Sequence, residues 1–582
     1  MKVCLGQIDT TPGDFDGNLA RIIAGIGKAS EARCDVVMFP ELAIPGYLSQ
    51  DLVYDPVFIE RNLAVLDEIV RYTASVHPGL HVVVGYIDRN EGIGKPFFNT
   101  AAVITAGSVV TIYKKQHLPF YDVFDELRYY EPGNQLKVLD IAGCKVGIAI
   151  CEDLWNDKGA DDYNYVGNPL SKYREQGVEV ILSLNSSPYV HDKGWQRLNL
   201  IETGKGTDSP VTLVYVNQRG GQDELVFDGQ SFILREGQLL HFCNELFDDS
   251  YDVVDLENAS PVVSDVSQNR EEIPFVKLFD LLVVCLRDYV KKSGFSQVVL
   301  ASSGGVDSAL VCKIACEAVG AKNVHAIRMP SKFSSEHSRD DALQLHENLG
   351  CWDYEVPIDH ESVLELLNQK FKTHDDSKNL VAKVFQEDSY AAVADENIQA
   401  RLRDLYVMHF SNAYGAMPLS TGNKTESACG YYTHFDMNFS FAPIKDLYKF
   451  QIFDIARQHP DIPPNIWMKA PSAELAKDQT DESSLLPYAI LDPVVRSYVE
   501  DYESTFSGFQ SWIERHCNEP ISSDIELVRT WLASSKAELD FERIVSLIGR
   551  MEYKRRQTCP GIKVSKVAFG IGRRIPIVEK WS

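Results

Sequence analysis

The stretch Gln297–Met329 is what most constrains the fold of this chain. It contains an apolar run, QVVLA, then a short glycine loop, then a helical pattern over 307–319 stopped by Gly320, then a second apolar run, Val324–Met329. Two strands joined through a helix cannot form a hairpin, so the crossover makes them parallel. The expectation is a doubly wound parallel sheet. The loop itself, S-G-G-V-D-S at 303–308, carries chemistry. Gly304 and Gly305 allow a tight turn whose amides face an anion, and the helix N-terminus adds its positive dipole end. Ser303 and Ser308 offer hydroxyl donors, and Asp307 offers a carboxylate for magnesium. The G-K-[ST] ending of a Walker loop is absent.

The rest of the chain divides around a polar segment. Its 582 residues call for more than one domain. Residues 1–265 alternate apolar strand candidates (Lys2–Ile8, Asp35–Phe39, His81–Val84, Ala101–Thr105, Lys145–Ile150, Val178–Leu184, Thr212–Asn217) with amphipathic helices. Residues 257–275 are polar and aperiodic and read as a linker. A second domain, 275–582, opens with a helix over Phe275–Lys292. The segment 371–390 reads equally as a mobile insertion and as a solvated surface helix. No 18-residue apolar run suggests a membrane span, and the N-terminus reads as a first strand and not a signal peptide. Twelve cysteines without a C-x-x-C pair argue against a disulfide framework or a zinc site and for a reducing cytosol. A net charge of −26 argues against a general nucleic-acid binder, while leaving local phosphate sites open.

Three residues of the first domain suggest nucleophilic chemistry. Cys151 ends the run KVGIAI, and Glu41 follows DVVMFP, so both stand at strand ends. A cysteine attacks as thiolate and needs a base or a positive charge nearby. Glu41 can take the thiol proton and later activate water. A lysine of YKKQHLP, Lys115 or its neighbour Lys114, can face the oxyanion of a tetrahedral intermediate. Each alone reads as ordinary: a small core residue, a helix cap, a solvated cation. The ordered set points to amide cleavage.

The segments FPELAIPGY, YKKQHLPFYDVFDELRYYEPG, ICEDLW, LNSSPY and VNQRGGQDELVFDGQSF resemble the glutaminase domains of the nitrilase superfamily. That resemblance implies an α-β-β-α sandwich with Glu41 as base, Lys115 as oxyanion stabiliser (the lysine directly before Q-H-L-P) and Cys151 as nucleophile. It places Tyr121, Glu126, Ser187 and Lys193 around glutamine. The 303–308 loop resembles that of the N-type ATP pyrophosphatases. MPSKFSSEHS, ENIQARLRDLYVMHFSN, PLSTGNKTE, PIKDLYK, KAPSAELAKDQTDE and EYKRRQTCPGIKV, in that order, are similar to glutamine-dependent NAD synthetases. The second domain is then adenine nucleotide alpha-hydrolase-like.

By this resemblance Ser303, Gly304, Gly305, Asp307, Ser308, Thr421, Lys449 and Ser472 bind ATP. Asn397, Arg401, Glu426, Asp436 and Lys554 contact deamido-NAD, and Asp307 and Glu426 hold magnesium. Arg403, two residues from Arg401 on one helix, is expected outside that site. The stretch HFDMNFSFAPI (434–444) departs from the glycine-rich family pattern, which implies a differently shaped nicotinate pocket. The resemblance further implies a cytoplasmic homo-oligomer with a dimeric synthetase core and an ammonia tunnel. The competing expectations are an amidotransferase with another acid substrate, an ammonia-only synthetase with an inert first domain, and a non-catalytic nucleotide sensor.

Overall fold

A computed structural model describes residues 1–155, 165, 167–200, 210–372, 393–433, 439–469, 471, 474–475 and 485–578. The chain divides into two compact units, Met1–Asp288 and Tyr289–Ser582. The division falls inside the helix Leu278–Lys292, beyond the polar segment 257–275. That segment buries Val263, Val266 and Ile273 in the core of the first unit, so its polarity did not mark a bare tether. Most of the 371–390 segment lies outside the described residues.

In chain order the first unit contains β1 (Lys2–Gln7), β2 (Val36–Met38), β3 (His81–Arg89), β4 (Phe97–Thr105), β5 (Ser108–Lys114), β6 (Val138–Ile141) and β7 (Cys144–Ile150). It continues with β8 (Val180–Asn185), β9 (Thr212–Asn217), β10 (Arg219–Gln222), β11 (Leu225–Asp228), β12 (Phe232–Arg235), β13 (Gln238–Phe242) and β14 (Ser250–Asp255). One six-stranded sheet has the order β14-β1-β2-β3-β4-β5, the other β13-β12-β9-β8-β7-β6, and β10–β11 form a separate ribbon. In each six-stranded sheet three neighbouring strands are parallel, β1-β2-β3 and β7-β8-β9, with antiparallel strands at the flanks.

Strand alternation builds the layers. Val36 and Met38 of β2 join Val3, Leu5 and Val83 in a core shared with Val146, Ile148, Ile150, Leu182 and Val216 of the other sheet. Val37, between them, points the opposite way into a core with Ile22 and Ile26 of the helix Phe15–Glu31 and Ile59, Val65 and Ile69 of the helix Pro56–Thr73. On the outer face of the second sheet, Ala149, Ile181 and Leu213 pack with Tyr173 and Leu198 of two further helices. The result is an α-β-β-α sandwich. Strands buried on both faces read as continuous apolar runs, which is why these segments were visible in the sequence.

The second unit contains a four-stranded parallel sheet of β15 (Val298–Ala301), β16 (Val324–Arg328), β17 (Trp352–Glu355) and β18 (Met417–Leu419), in the order β17-β16-β15-β18. The glycine loop leads from β15 into the helix Val306–Val319. A helical layer completes the unit: Tyr488–Glu500, Phe506–His516, Ile525–Leu532 and Ala537–Arg550 enclose Phe509, Trp512 and Phe541.

The loop that carries Glu41 is latched to β3 by Phe39 N–H to Val83 O (3.0 Å) and Ile44 N–H to Gly85 O (3.0 Å). Gly85 permits this approach, because a Cβ there would lie 2.3 Å from Leu42 N. Gly85→Ala is expected to destabilise the first unit by about 1–3 kcal/mol, the usual cost of overpacking. Denaturant unfolding measures the loss, and the Glu41 loop must move to make room for the added methyl group.

Candidate active sites

The first constellation forms where strands of both sheets end. Glu41 follows β2, Lys115 follows β5 and Cys151 follows β7. Lys115 Nζ lies 2.7 Å from Glu41 Oε1 and 2.9 and 2.8 Å from the two oxygens of Glu126. Its side chain is fully buried. Lys114, one step earlier, turns its ammonium over the Phe98 ring at 3.5 Å. Strand alternation thus separates the two lysines. Asn99 donates to Glu41 (2.7 Å), the Ser186 amide donates to the other Glu41 oxygen (3.2 Å), and Tyr47 donates to Glu126 (3.1 Å).

Cys151 is buried and has a φ of +41°, in the left-handed region that non-glycine residues rarely occupy. The Asp153 carboxylate fixes this elbow by accepting from the amides of Ile150 (3.0 Å), Gln116 (3.0 Å) and His117 (2.9 Å) and from the Tyr113 hydroxyl (2.8 Å). One buried acid therefore ties the Cys151 turn to the Lys115 turn. Burial pushes the Cys151 thiol well above its ordinary value. Glu41 pushes the same way and Lys115 pulls back. For Lys115, burial works against the charge, but Glu126 and Glu41 outweigh it and hold the ammonium well above its usual range.

The expected glutamine residues are dispersed within this unit. Glu126 is committed to Lys115, Tyr47 and Asn99. Tyr121 donates to Glu152 at 2.9 Å, as does Tyr165. Ser187 is buried, its amide donating to Asn217 Oδ1 (2.9 Å) while its carbonyl accepts from Arg197 (2.8 Å), which also pairs with Asp228. Lys193 begins a helix with its ammonium 4.4 Å from the Trp155 ring centroid. Glu152 and Asp153 are functional neighbours that the sequence reading missed, and their signal is the acid pair directly after Cys151 in ICEDLW. Asn99 had a fainter signal, a lone amide in an apolar strand.

The second constellation surrounds a cavity of about 730 Å³ in the second unit. Ser303, Gly305, Asp307, Ser308, Thr421, Glu426, Lys449, Asn397, Arg401 and Lys554 line it. Gly304 has φ +76°, and a Cβ there would sit 2.2 Å from Ser338 O, so only glycine fits. The Gly305 amide donates to Ser303 Oγ (3.2 Å) and Ser308 Oγ to Gly305 O (3.0 Å), which closes the loop on itself. Lys449 Nζ bridges Asp307 (2.6 Å) and Glu426 (3.1 Å). Burial disfavours this ammonium, yet the two carboxylates raise its affinity for the proton. Asp492, itself pushed up to about 6 by burial, accepts from the Phe450 amide (2.8 Å) and sets the start of the Lys449 helix.

Arg403 also lines the cavity and donates to Met329 O (3.2 Å), contrary to the expectation that put it outside. The residues of the helix Val393–Tyr414 that line the cavity form a broad face, with Arg401 and Arg403 at its two edges, so both long side chains reach it. Lys554 donates to Gly430 O and Tyr432 O, both at 2.8 Å, and Asn397 accepts from Thr433 (2.6 Å). Lys469 and Glu474, of the stretch KAPSAELAKDQTDE, also line the cavity. Ser472 and Asp436 lie outside the described residues.

A family model described as carbon-nitrogen hydrolase matches residues 2–238, and one described as NAD synthase matches residues 278–518. The glutamine-dependent NAD(+) synthetase of Thermotoga maritima is 34% identical, with 100% of this chain and 99% of the relative covered. That of Synechocystis is 35% identical over 99% of this chain and 98% of its own length. A solved glutamine-dependent NAD+ synthetase from Acinetobacter baumannii, in complex with adenosine diphosphate, superposes with a TM-score of 0.70 at 30% identity, covering 100% of this chain and 99% of that one.

Glu41→Gln separates two effects of one carboxylate. Loss of the base should lower glutamine hydrolysis by about 100- to 10,000-fold. Loss of its negative charge should lower the Cys151 thiol's proton affinity and speed alkylation at neutral pH. In the unaltered protein, alkylation should keep rising as pH increases through 9, because the thiol is held above that value. Iodoacetamide modification followed by mass spectrometry across pH checks both.

Proposed function

The chain belongs to the glutamine-dependent NAD(+) synthetases, and from that membership we propose how its residues divide the work. The protein is a carbon–nitrogen ligase. It amidates deamido-NAD+ to NAD+ with nitrogen from glutamine and energy from ATP, yielding AMP, diphosphate and glutamate. We assign amide hydrolysis to residues 1–265 and synthesis to residues 275–582, in support of which the two family models match 2–238 and 278–518.

The observation that carries the first half-reaction is the buried Lys115–Glu41 pair acting on the Cys151 thiol. Glu41 accepts the thiol proton as Cys151 Sγ attacks the glutamine side-chain carbonyl. Lys115 faces the oxyanion. Its Nζ has one Glu41 oxygen at 2.7 Å and both oxygens of Glu126 on one side at 2.9 and 2.8 Å, so Glu126 can keep the ammonium in place while an N–H turns to the oxyanion. Glu126 is therefore a positioning residue for Lys115. The intermediate collapses to a Cys151 thioester, and the proton held by Glu41 leaves with ammonia. Glu41 then draws a proton from water, which attacks the thioester and frees glutamate. Tyr121, Ser187 and Lys193 orient the amino-acid head.

In the second half-reaction the nicotinate carboxylate of deamido-NAD+ attacks the α-phosphorus of ATP and diphosphate leaves. Ser303, Gly304, Gly305, Ser308, Thr421, Lys449 and Ser472 hold the nucleotide. Asn397, Arg401, Glu426, Asp436 and Lys554 hold the dinucleotide. Ammonia attacks the resulting acyl adenylate and AMP departs with the bond electrons. Asp307 and Glu426 fit magnesium: two carboxylates converge on one cation, here the Lys449 ammonium, and magnesium takes one or two carboxylates plus substrate phosphates. When bound, that ion neutralises phosphate charge. Lys449 adds a fixed positive charge, and Asp492 keeps its helix in register. Ammonia must travel shielded from bulk water, because ammonium has no free lone pair. We further propose a cytoplasmic homo-oligomer with a dimeric synthetase core, which light scattering tests directly.

Cys151→Ala should abolish NAD+ formation from glutamine and leave formation from ammonium chloride intact. With amide-labelled glutamine, deamido-NAD+, ATP and magnesium, the unaltered enzyme should place the label in the nicotinamide. Unlabelled or absent product overturns the assignment.

A further inference from the structure

Three of the twelve cysteines converge at one point of the second unit. Cys312 and Cys316 lie one turn apart on the helix Val306–Val319 and share a face. Cys351 arrives from elsewhere: the helix Glu336–Leu349 ends at Gly350 in the left-handed conformation (φ +69°), and the next residue turns back before β17. The three sulfurs lie within 4.8 Å of one another, and Cys312 Sγ is 3.9 Å from Cys351 Sγ. Cys312 is buried, while Cys316 and Cys351 are half-buried, so solvent reaches the cluster from one side.

The spacing decides between uses. A zinc–thiolate bond of about 2.3 Å puts two sulfurs of one ion roughly 3.8–4.0 Å apart. A disulfide needs sulfurs at about 2.05 Å and employs only two, leaving the third without a role. Simple core filling favours apolar side chains buried on all sides, and two of these three are not. We propose that Cys312, Cys316 and Cys351 form a three-thiolate site for a thiophilic closed-shell cation of the zinc(II) class, with the fourth position left to solvent. On binding, each S–H bond gives way to a sulfur–metal bond and the protons leave to buffer.

The site has a structural lever on the nucleotide loop. The helix that carries Cys312 and Cys316 begins at the 303–308 loop. His346, on the helix that ends beside Cys351, reaches Ser302 Oγ at 2.8 Å through Nε2 and bonds Asp353 of β17 through Nδ1. A cation at the three sulfurs ties the second half of the loop's helix to the turn that follows the helix Glu336–Leu349.

Cobalt(II) titration of the reduced, chelator-stripped full-length protein reads the site directly. A sulfur-to-cobalt charge-transfer band should saturate at one equivalent and disappear when zinc(II) is added, and zinc(II) should raise the Tm. Cys316→Ser and Cys351→Ser, both half-buried positions, should each abolish the band and the Tm rise, with ammonia-driven NAD+ formation confirming that the variants fold. Cys517→Ser, at a half-buried thiol beyond the helix Phe506–His516, should change neither. Absence of the band, its persistence in Cys316→Ser or Cys351→Ser, or a two-dalton mass loss marking a disulfide in place of metal binding would each overturn the proposal.

Discussion

A single buried ammonium organises the first unit. Lys115 has no solvent to stabilise its charge, and an unpaired ion at such depth costs several kcal/mol. Glu41 and Glu126 meet that demand, and each is held in turn by Asn99, Tyr47 and the Ser186 amide. The network joins residues from four separate stretches of chain, so the sheets cannot shift without uncovering a charge. Breaking such a network by removing one partner typically costs about 3–5 kcal/mol. The same dryness suits the proposed chemistry, because electrostatic stabilisation of an oxyanion grows as water is excluded.

The second unit uses a similar device in a more open setting. Lys449 is buried between Asp307 and Glu426 at the edge of a cavity large enough for nucleotides. Its ammonium holds the two carboxylates together. Both units therefore keep reactive charges ready by pairing them, and ligand binding has only to exchange partners.

Much of this was legible in the chain. The strands β1, β2, β7, β9, β15 and β16 appear as apolar runs because parallel strands are covered on both faces. The ends of those runs marked Glu41, Cys151 and the 303–308 loop, since a strand end is where a side chain leaves the core. The antiparallel partners β4 and β5 were read short or missed: the exposed residues of β5 dilute its apolar pattern. Residue type alone left Lys114 and Lys115 open, and the motif position before Q-H-L-P favoured Lys115; the physical difference between them is which strand face each occupies. Helical periodicity puts Arg403 nearly opposite Arg401, but the cavity face of that helix is broad enough for long side chains at both edges to reach it.

What the sequence determined by itself is whatever depends on neighbours along the chain: the strand–loop–helix crossover, the glycine that only a φ of +76° explains, and the ordered motifs of the family. The tertiary structure alone decided what depends on distant residues meeting. Glu126 turning to Lys115, Asp153 tying two loops together, and Cys351 joining Cys312 and Cys316 across 39 residues all belong to that class. The physical reason is that charge pairing and thiol clustering act over a few ångströms of space, while spacing along a chain encodes only the local turn that begins the approach.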